Sequence, residues 1–242
     1  MIALVVPCFN ESERLDLDYW RSILNIEGVT VYFVDDASTD STRIKLNELI
    51  HLDNCSVLSS PKNLGKANAI RYGIQHIQKS EDFSSVGYID ADGAFELNDI
   101  SRIIEVWEKS TSFEVKFDSI WASRVKLSGR EIERNPYRHY IARILATYMS
   151  AGNSKIPYDT QCGFKLFKND YYLKYALEEP FQTRWFLDLE LLARIFRIKE
   201  DYKIYEEPLN AWKEISGSKV RKAQYIRILY EILLVKKNLN KI

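Results

Sequence analysis

The 242-residue chain has no run of 18 apolar residues, so no segment of it reads as a membrane-spanning helix. Its opening run, Met1-Ile2-Ala3-Leu4-Val5-Val6, is short and has no basic start, so no secretory leader is expected. Cysteine is scarce. Cys8, Cys55 and Cys162 are odd in number and widely spaced, which excludes a disulfide framework and a zinc signature. A reducing, cytoplasmic setting fits them. Formal net charge is zero, so bulk electrostatics give no nucleic-acid partner. There is no G-x-x-x-x-G-K-[ST] phosphate loop and no G-x-G-x-x-G fingerprint; Asn63-Leu64-Gly65-Lys66 has the Gly-Lys without the upstream glycine. The three histidines, His51, His76 and His139, read as helix-face residues, and no Ser-His-Asp or Cys-His pairing is visible.

What the chain does have is enough apolar content, 46%, for a sizeable core. Short β-rich runs (Ile2–Val6, Val29–Val34, Ser56–Leu58, Val86–Ile89, Ser119–Ala122, Tyr202–Tyr205) alternate with helical patterns. The helical patterns are Glu13–Ile26, Ser41–His51, Lys66–Gln78, Leu97–Lys109, Tyr137–Ser150 and Arg184–Arg197. Such alternation predicts right-handed βαβ units, a mostly parallel sheet and an α/β fold. Composition shows no break before about residue 216, so residues 1–215 read as one domain and 216–242 as a C-terminal helix.

Ligands of open parallel sheets bind at the carboxyl ends of the strands. Here those ends are Pro7-Cys8-Phe9-Asn10-Glu11, Asp35-Asp36-Ala37-Ser38-Thr39-Asp40 and Asp90-Ala91-Asp92-Gly93. Alternate residues of a strand share a face, so Asp90 and Asp92 can converge on one point, where a hard divalent cation offsets their repulsion. Two bland readings stand beside this one. Asp-Gly can be a turn, and Ser38, Thr39, Asp40 and Ser41 can serve as helix caps.

Taken together and in order, Val5-Val6-Pro7-Cys8-Phe9-Asn10-Glu11, Val34-Asp35-Asp36-Ala37-Ser38-Thr39-Asp40, Asn63-Leu64-Gly65-Lys66 and Asp90-Ala91-Asp92-Gly93 resemble the family-2 glycosyltransferases of the GT-A fold. Asp159-Thr160-Gln161-Cys162-Gly163-Phe164-Lys165-Leu166-Phe167 and Trp212-Lys213-Glu214-Ile215-Ser216-Gly217-Ser218-Lys219 narrow this to the polyprenyl-phosphate sugar synthases, in particular the dolichyl-phosphate glucose synthase branch. Ala94, where some synthases of the group carry Gln, agrees with the glucose-type branch. The resemblance covers roughly residues 1–220 and implies a Rossmann-like three-layer sandwich. It further implies an inverting transferase that uses a nucleotide sugar, UDP-glucose first, with Mg²⁺ or Mn²⁺.

The resemblance also implies roles. Pro7, Phe9 and Glu11 would shape the nucleotide pocket, Asp36 would bind the base, and Asp35 would support that turn or bind ribose. Lys66, at a helix start, would meet phosphate or base. Asp92 is the expected direct metal ligand, with Asp90 also at the metal and nearer ribose and sugar. Gln161 would contact the donor sugar or diphosphate, and Lys219 the diphosphate. With a phosphate-monoester acceptor the attacking oxygen is already anionic, and cations that hold it matter more than a base. Arg124, Arg130, Arg134 and Arg138 are the candidates, near a helix carrying Tyr137, Tyr140 and Tyr148; a solvated basic face is their alternative reading. With a sugar hydroxyl as acceptor a base is required, and Asp159 is the first choice. Asp159, Asp92 and Arg124 are thus the expected catalytic group.

Residues 216–242 carry seven basic side chains and one acid, Glu231. Tyr225, Ile228, Leu229, Ile232, Leu233 and Leu239 fall at helical spacing. Three readings are open: a helix on the cytoplasmic face of an anionic membrane, a helix docked on the domain, or a homodimer contact. Function likewise has alternatives, namely transfer to a polyprenyl phosphate, transfer to a surface glycan or saccharide, and a non-catalytic nucleotide-binding module.

Overall fold

The computed structural model describes residues 1–80, 82–112, 116–134, 136–151, 155–215 and 225–239. Its centre is a seven-stranded sheet. In chain order the strands are β1 (Ile2–Cys8), β2 (Val29–Asp35), β3 (Cys55–Ser59), β4 (Ser85–Ile89), β5 (Ser119–Ser123), β7 (Phe164–Lys168) and β8 (Ile204–Pro208). The spatial order is β3-β2-β1-β4-β7-β5-β8. All neighbours are parallel except β7, which runs antiparallel to both β4 and β5. A small parallel pair, β6 (Glu131–Glu133) with β9 (Ala211–Lys213), lies outside this sheet.

Helices cover both faces, which is why the central parallel strands β1 and β4 are buried along nearly their whole length. The two sides of β1 demonstrate it. Ala3 and Val5 join the core under α3 (Lys66–Ile77), α7 (Leu187–Phe196) and α8 (Tyr225–Leu239). Ile2, Leu4, Val6 and Cys8 join the opposite core under α1 (Leu17–Leu24) and α4 (Leu97–Glu108). α3 approaches the sheet closely, and a Cβ on Gly73 would sit 2.7 Å from Val5 and 2.9 Å from Val34. The remaining helices are α2 (Thr42–Asn47), α5 (Pro136–Ser150) and α6 (Tyr171–Ala176).

The structure departs from the sequence-based expectations at several elements, β8 (Ile204–Pro208 rather than Tyr202–Tyr205) and α2 (Thr42–Asn47 rather than Ser41–His51) among them, and three departures have a plain physical reason. The central strand β7 is not expected because it reads Phe-Lys-Leu-Phe-Lys. Lys165 is nonetheless buried, with its ammonium donating to the carbonyls of Thr160 (3.1 Å) and Cys162 (2.6 Å) and pairing with Asp188 (2.9 Å). It also lies 4.4 Å from the Trp121 ring centroid, so a charged residue occupies a core position because every donor has a partner. The first helix starts at Leu17 rather than at residue 13, where Asp16 accepts from the backbone N–H of Asp18 and Tyr19. The helix expected from Arg184 starts at Leu187, because the N–H groups of residues 182–185 are taken by Glu190 and Glu231.

The C-terminal helix docks on the domain. Glu231, Val235 and Leu239 of α8 are buried, and Lys236 donates to the carbonyls of Met149 (3.3 Å) and Ala151 (2.6 Å) at the end of α5. Its opposite face stays open, with Leu229, Tyr230 and Leu233 each more than 60% exposed. Residues 216–224 and 240–242 of the expected helix lie outside the described residues. Among the described residues no helix is long and apolar enough to cross a membrane.

Candidate active site

The carboxyl ends of β1, β2, β4 and β5 open onto one cavity of about 860 Å³. Of the residues singled out in the sequence, Pro7, Phe9, Glu11, Asp36, Lys66, Asp90, Asp92 and Arg124 line it. The parallel sheet delivers them there, because all but Lys66 end a strand or lie in the loop just after it, and Lys66 opens α3.

The rim is built by cross-bonding between loops. Asn10 has a left-handed backbone (φ 52°), and so has Ala37 (φ 56°). The Asn10 N–H donates to the Ser38 hydroxyl (3.1 Å), and its side-chain oxygen accepts from the Thr39 N–H (2.8 Å). The Glu11 N–H donates to the Thr42 hydroxyl at 2.8 Å. Ser38 and Thr39, which read as potential caps, instead tie the first loop to the second. Asp40 accepts from the Thr42 N–H at 3.0 Å, as a cap does.

Asp36 is buried and accepts three hydrogen bonds, from the N–H of Leu64 (2.7 Å), the N–H of Gly65 (2.8 Å) and the Ser60 hydroxyl (2.9 Å). It therefore sets the turn through Gly65 (φ 79°) that launches α3 and presents Lys66. Asp35 accepts from the Ser38 N–H at 3.0 Å, which supports the adjoining turn.

The two rim aspartates differ in electrostatic state. The Lys66 ammonium pairs with Asp90 at 2.5 Å. Desolvation, the largest single effect, works against that ammonium, but the charge and hydrogen bond of Asp90, with the charges of Asp188 and Asp92, together raise its pKa. Asp92 has no ion-pair partner among the described residues. Burial and the neighbouring Asp90 charge raise its pKa, and it accepts one hydrogen bond, from the Ala94 N–H at 3.3 Å. Asp90 is also fixed from below. Its N–H donates to the Gly163 carbonyl (3.0 Å), and a Cβ at Gly163 would overlap its carboxylate.

Across the cavity, Arg124 is locked by Asp159. Nε and Nη2 of Arg124 donate to the two Asp159 oxygens, both at 2.8 Å, and the Arg124 N–H adds a third bond at 3.0 Å. The guanidinium lies 5.0 Å from the Trp212 ring centroid. The Asp159 and Tyr158 N–H groups donate to Glu206 at 3.0 and 2.7 Å. Burial would raise the Asp159 pKa, but Arg124 holds it well below the usual carboxylate range. Asp159 does not line the cavity, and a carboxylate held in this way is a weak proton acceptor, contrary to its expectation as a base.

The structure does not gather every expected residue. Gln161 is exposed and outside the lining, as are the half-buried Arg130 and Arg134. Arg134 sits behind the site, 3.9 Å from Asp159, and donates to the Arg124 carbonyl at 3.4 Å. Arg138 is on α5, but its side chain, like those of Tyr137, Tyr140 and His139, lies outside the described residues, as does Lys219 entirely. Conversely, Arg14, Arg184 and Trp185 line the cavity without having been singled out. Arg14 pairs with Glu11 at 2.5 Å, a spacing of three that a first-loop turn could have suggested. Arg184 and Trp185 come from a non-helical loop with no motif to mark it.

The cysteines are buried and free; burial is the main cause that pushes Cys55 up to about 11 and Cys162 up to about 12, so neither is a ready thiolate. Among the described residues no group of three or more His, Cys, Asp or Glu could hold a metal on its own.

The family model for glycosyl transferase family 2 matches residues 3–172. A dolichyl-phosphate beta-glucosyltransferase of Trichomonas vaginalis is 30% identical, over 97% of this chain and 72% of its own. The dolichyl-phosphate beta-glucosyltransferase of Homo sapiens is 30% identical over 90% of this chain and 69% of its own. Among solved structures, glucosyl-3-phosphoglycerate synthase from Mycobacterium tuberculosis, in complex with Mn²⁺, uridine-diphosphate and phosphoglyceric acid, superposes with a TM-score of 0.68. It is 16% identical and covers 98% of this chain and 78% of its own. The mannosyltransferase of Pyrobaculum calidifontis, with GDP-Man and Mn²⁺, gives 0.64 at 16% identity, over 97% and 62% of the two chains. With its family model spanning well over half its length, this chain belongs to glycosyl transferase family 2.

Proposed function

We propose that the protein transfers a hexose, glucose first, from a nucleoside diphosphate sugar to a polyprenyl phosphate with inversion at the anomeric carbon. The observation that carries the donor side is the unequal rim pair. Asp90 already has a cation in Lys66, whereas Asp92 is half-buried with no ion-pair partner among the described residues. A donor set of two carboxylates suits a hard divalent ion whose other ligands are diphosphate oxygens and water, so the residues fit Mg²⁺ or Mn²⁺. Asp92 would hold it, with Asp90 beside it. When bound, such an ion stabilises charge on the departing nucleoside diphosphate.

The chain's own residues do the rest. Pro7 and Phe9 wall the nucleotide side of the cavity, and Arg184 faces the same space without an ion-pair partner among the described residues. Arg124, held rigid by Asp159, directs positive charge at an acceptor phosphate. An anionic phosphate oxygen attacks the anomeric carbon, and a new C–O bond forms as the bond to the diphosphate breaks. The electron pair leaves with the nucleoside diphosphate, and no proton need move. A saccharide acceptor would need a base, and the Asp159 carboxylate is already committed to Arg124. The names of the similar curated proteins also favour the lipid phosphate.

The outward face of α8 supports peripheral contact with the cytoplasmic face of a membrane. Leu229, Tyr230 and Leu233 share it with the exposed Lys237, and Ile144 and Tyr148 of α5 are exposed nearby, Tyr148 beside Lys236. The reading is tested by incubating the protein with UDP-glucose, UDP-GlcNAc or GDP-mannose and Mn²⁺, against dolichyl phosphate, undecaprenyl phosphate or a panel of saccharides. The expected result is a glucosylated lipid that is lost in Asp92→Ala. Turnover on a saccharide with none on either lipid phosphate would overturn it.

A further inference from the structure

The loop of residues 181–186 forms one wall of the cavity, through Arg184 and Trp185. Such a loop has no helix or strand to satisfy its backbone, yet four consecutive N–H groups in it are all paired. Gln182 and Thr183 donate to Glu190, at 3.1 and 2.9 Å. Arg184 and Trp185 both donate to one oxygen of Glu231, each at 3.0 Å. The two carboxylates are built alike. Each is buried, each takes two successive N–H groups, and each is backed by an arginine one helical turn away on its own helix. Arg194 pairs with Glu190 at 2.7 Å, and Arg227 with Glu231 at 3.1 Å. Glu190 belongs to α7, the helix that continues from the loop. Glu231 belongs to α8, more than forty residues later.

We infer that Glu231 is a positioning residue for the donor pocket, through which the C-terminal helix holds Arg184 and Trp185 in place. Two backbone dipoles pointing at a buried carboxylate are strong, charge-assisted bonds. They fix the direction in which both side chains leave the backbone, and those side chains reach the cavity. The Arg184 guanidinium also packs against the turn that starts α3, with Nε 3.4 Å from where a Cβ on Gly65 would be. Glu231 thus connects α8, across Arg184, to the turn that presents Lys66. This inference rests on the reading of the cavity as a nucleotide-sugar site. It adds that the pocket is incomplete without α8, and that Glu231 is an acid inside an otherwise basic amphipathic segment because of this contact.

The test compares Glu231→Ala, Glu231→Gln and Val235→Ala in the full chain. Val235 is a buried apolar docking residue of α8, one turn from Glu231, that makes no side-chain hydrogen bond to residues 182–185. UDP affinity is measured by calorimetry with Mn²⁺, thermal stability by calorimetric unfolding, and exchange of the 184 and 185 amides by mass spectrometry. Glu231→Ala strands two amides and is expected to weaken UDP binding about tenfold, raise donor KM with little change in kcat, and speed exchange at 184 and 185. Glu231→Gln keeps an accepting oxygen and is expected to recover most of that affinity. Val235→Ala is expected to lower the melting temperature while leaving UDP affinity as it was. Unchanged UDP binding in Glu231→Ala, or an equal loss in Val235→Ala, would overturn the inference alone. Failure of the unaltered protein to bind any nucleotide or nucleotide sugar would overturn the donor-site reading with it.

Discussion

Asp90 and Asp92 are two residues apart, yet they carry different charge environments because only Asp90 meets Lys66. That difference depends on a glycine seventy residues away. At Gly163 a side chain would collide with the Asp90 carboxylate, so Gly163→Ala is expected to displace it and lower kcat/KM about a hundredfold with the fold intact by circular dichroism. Asp159 makes a separate residue-scale prediction. Its pKa is depressed in the folded state, so the stabilisation is present above the unfolded-state pKa near ~4 and is lost only as pH falls through the lower folded value. Asp159→Asn removes one partner of a buried pair and is expected to destabilise by about 3 kcal/mol at pH 7. Urea melts should show that gap narrowing below about pH 4. The acid limb of the activity profile between pH 5 and 8 should belong to some other group. Most rim residues were legible in the sequence because they follow an apolar strand, and a strand's end is a sharp signal, while Lys66 was marked by the glycine before its helix. Arg14, Arg184 and Trp185 were not, because loops reach the cavity through tertiary contacts that no local pattern encodes.

At the scale of elements, the parallel strands β1, β2 and β4 read plainly, since burial on both faces leaves apolar runs, whereas β8 starts two residues later than expected because its Ile-Tyr-Glu-Glu-Pro carries two acids. β7 did not, because two lysines in five residues mimic a surface segment. Its buried ammonium bonds the carbonyls of Thr160 and Cys162, and so shapes the loop between Asp159 and Gly163 that supports both walls of the site. Lys165→Met would leave Asp188 buried without its cation and is expected to cost about 3–5 kcal/mol, read as a lower midpoint in denaturant. The close passage of α3 over β1 and β2 gives a second expectation. Gly73→Ala places a methyl within 3 Å of Val5 and Val34 and should destabilise by about 1–3 kcal/mol, although alanine is the better helix former.

For the whole molecule, charge is divided rather than absent. The balance of zero conceals a basic C-terminal segment against an acidic remainder. α8 serves two faces at once, with Glu231, Val235 and Leu239 inward and Leu229, Tyr230 and Leu233 outward. Periodicity alone left membrane, domain and second subunit open because it cannot say which stripe of a helix finds a partner. The outward stripe gives a whole-molecule prediction: Leu229→Ser with Leu233→Ser should reduce sedimentation with anionic lipid vesicles at least about tenfold, with UDP affinity retained. The most direct test of the central claim is the structure of the product formed from UDP-glucose. Phosphorus-coupled proton NMR of the lipid fraction should show glucose joined to a polyprenyl phosphate with β configuration, inverted from the donor. An α-linked product, or glucose recovered only in water-soluble saccharides, would contradict it.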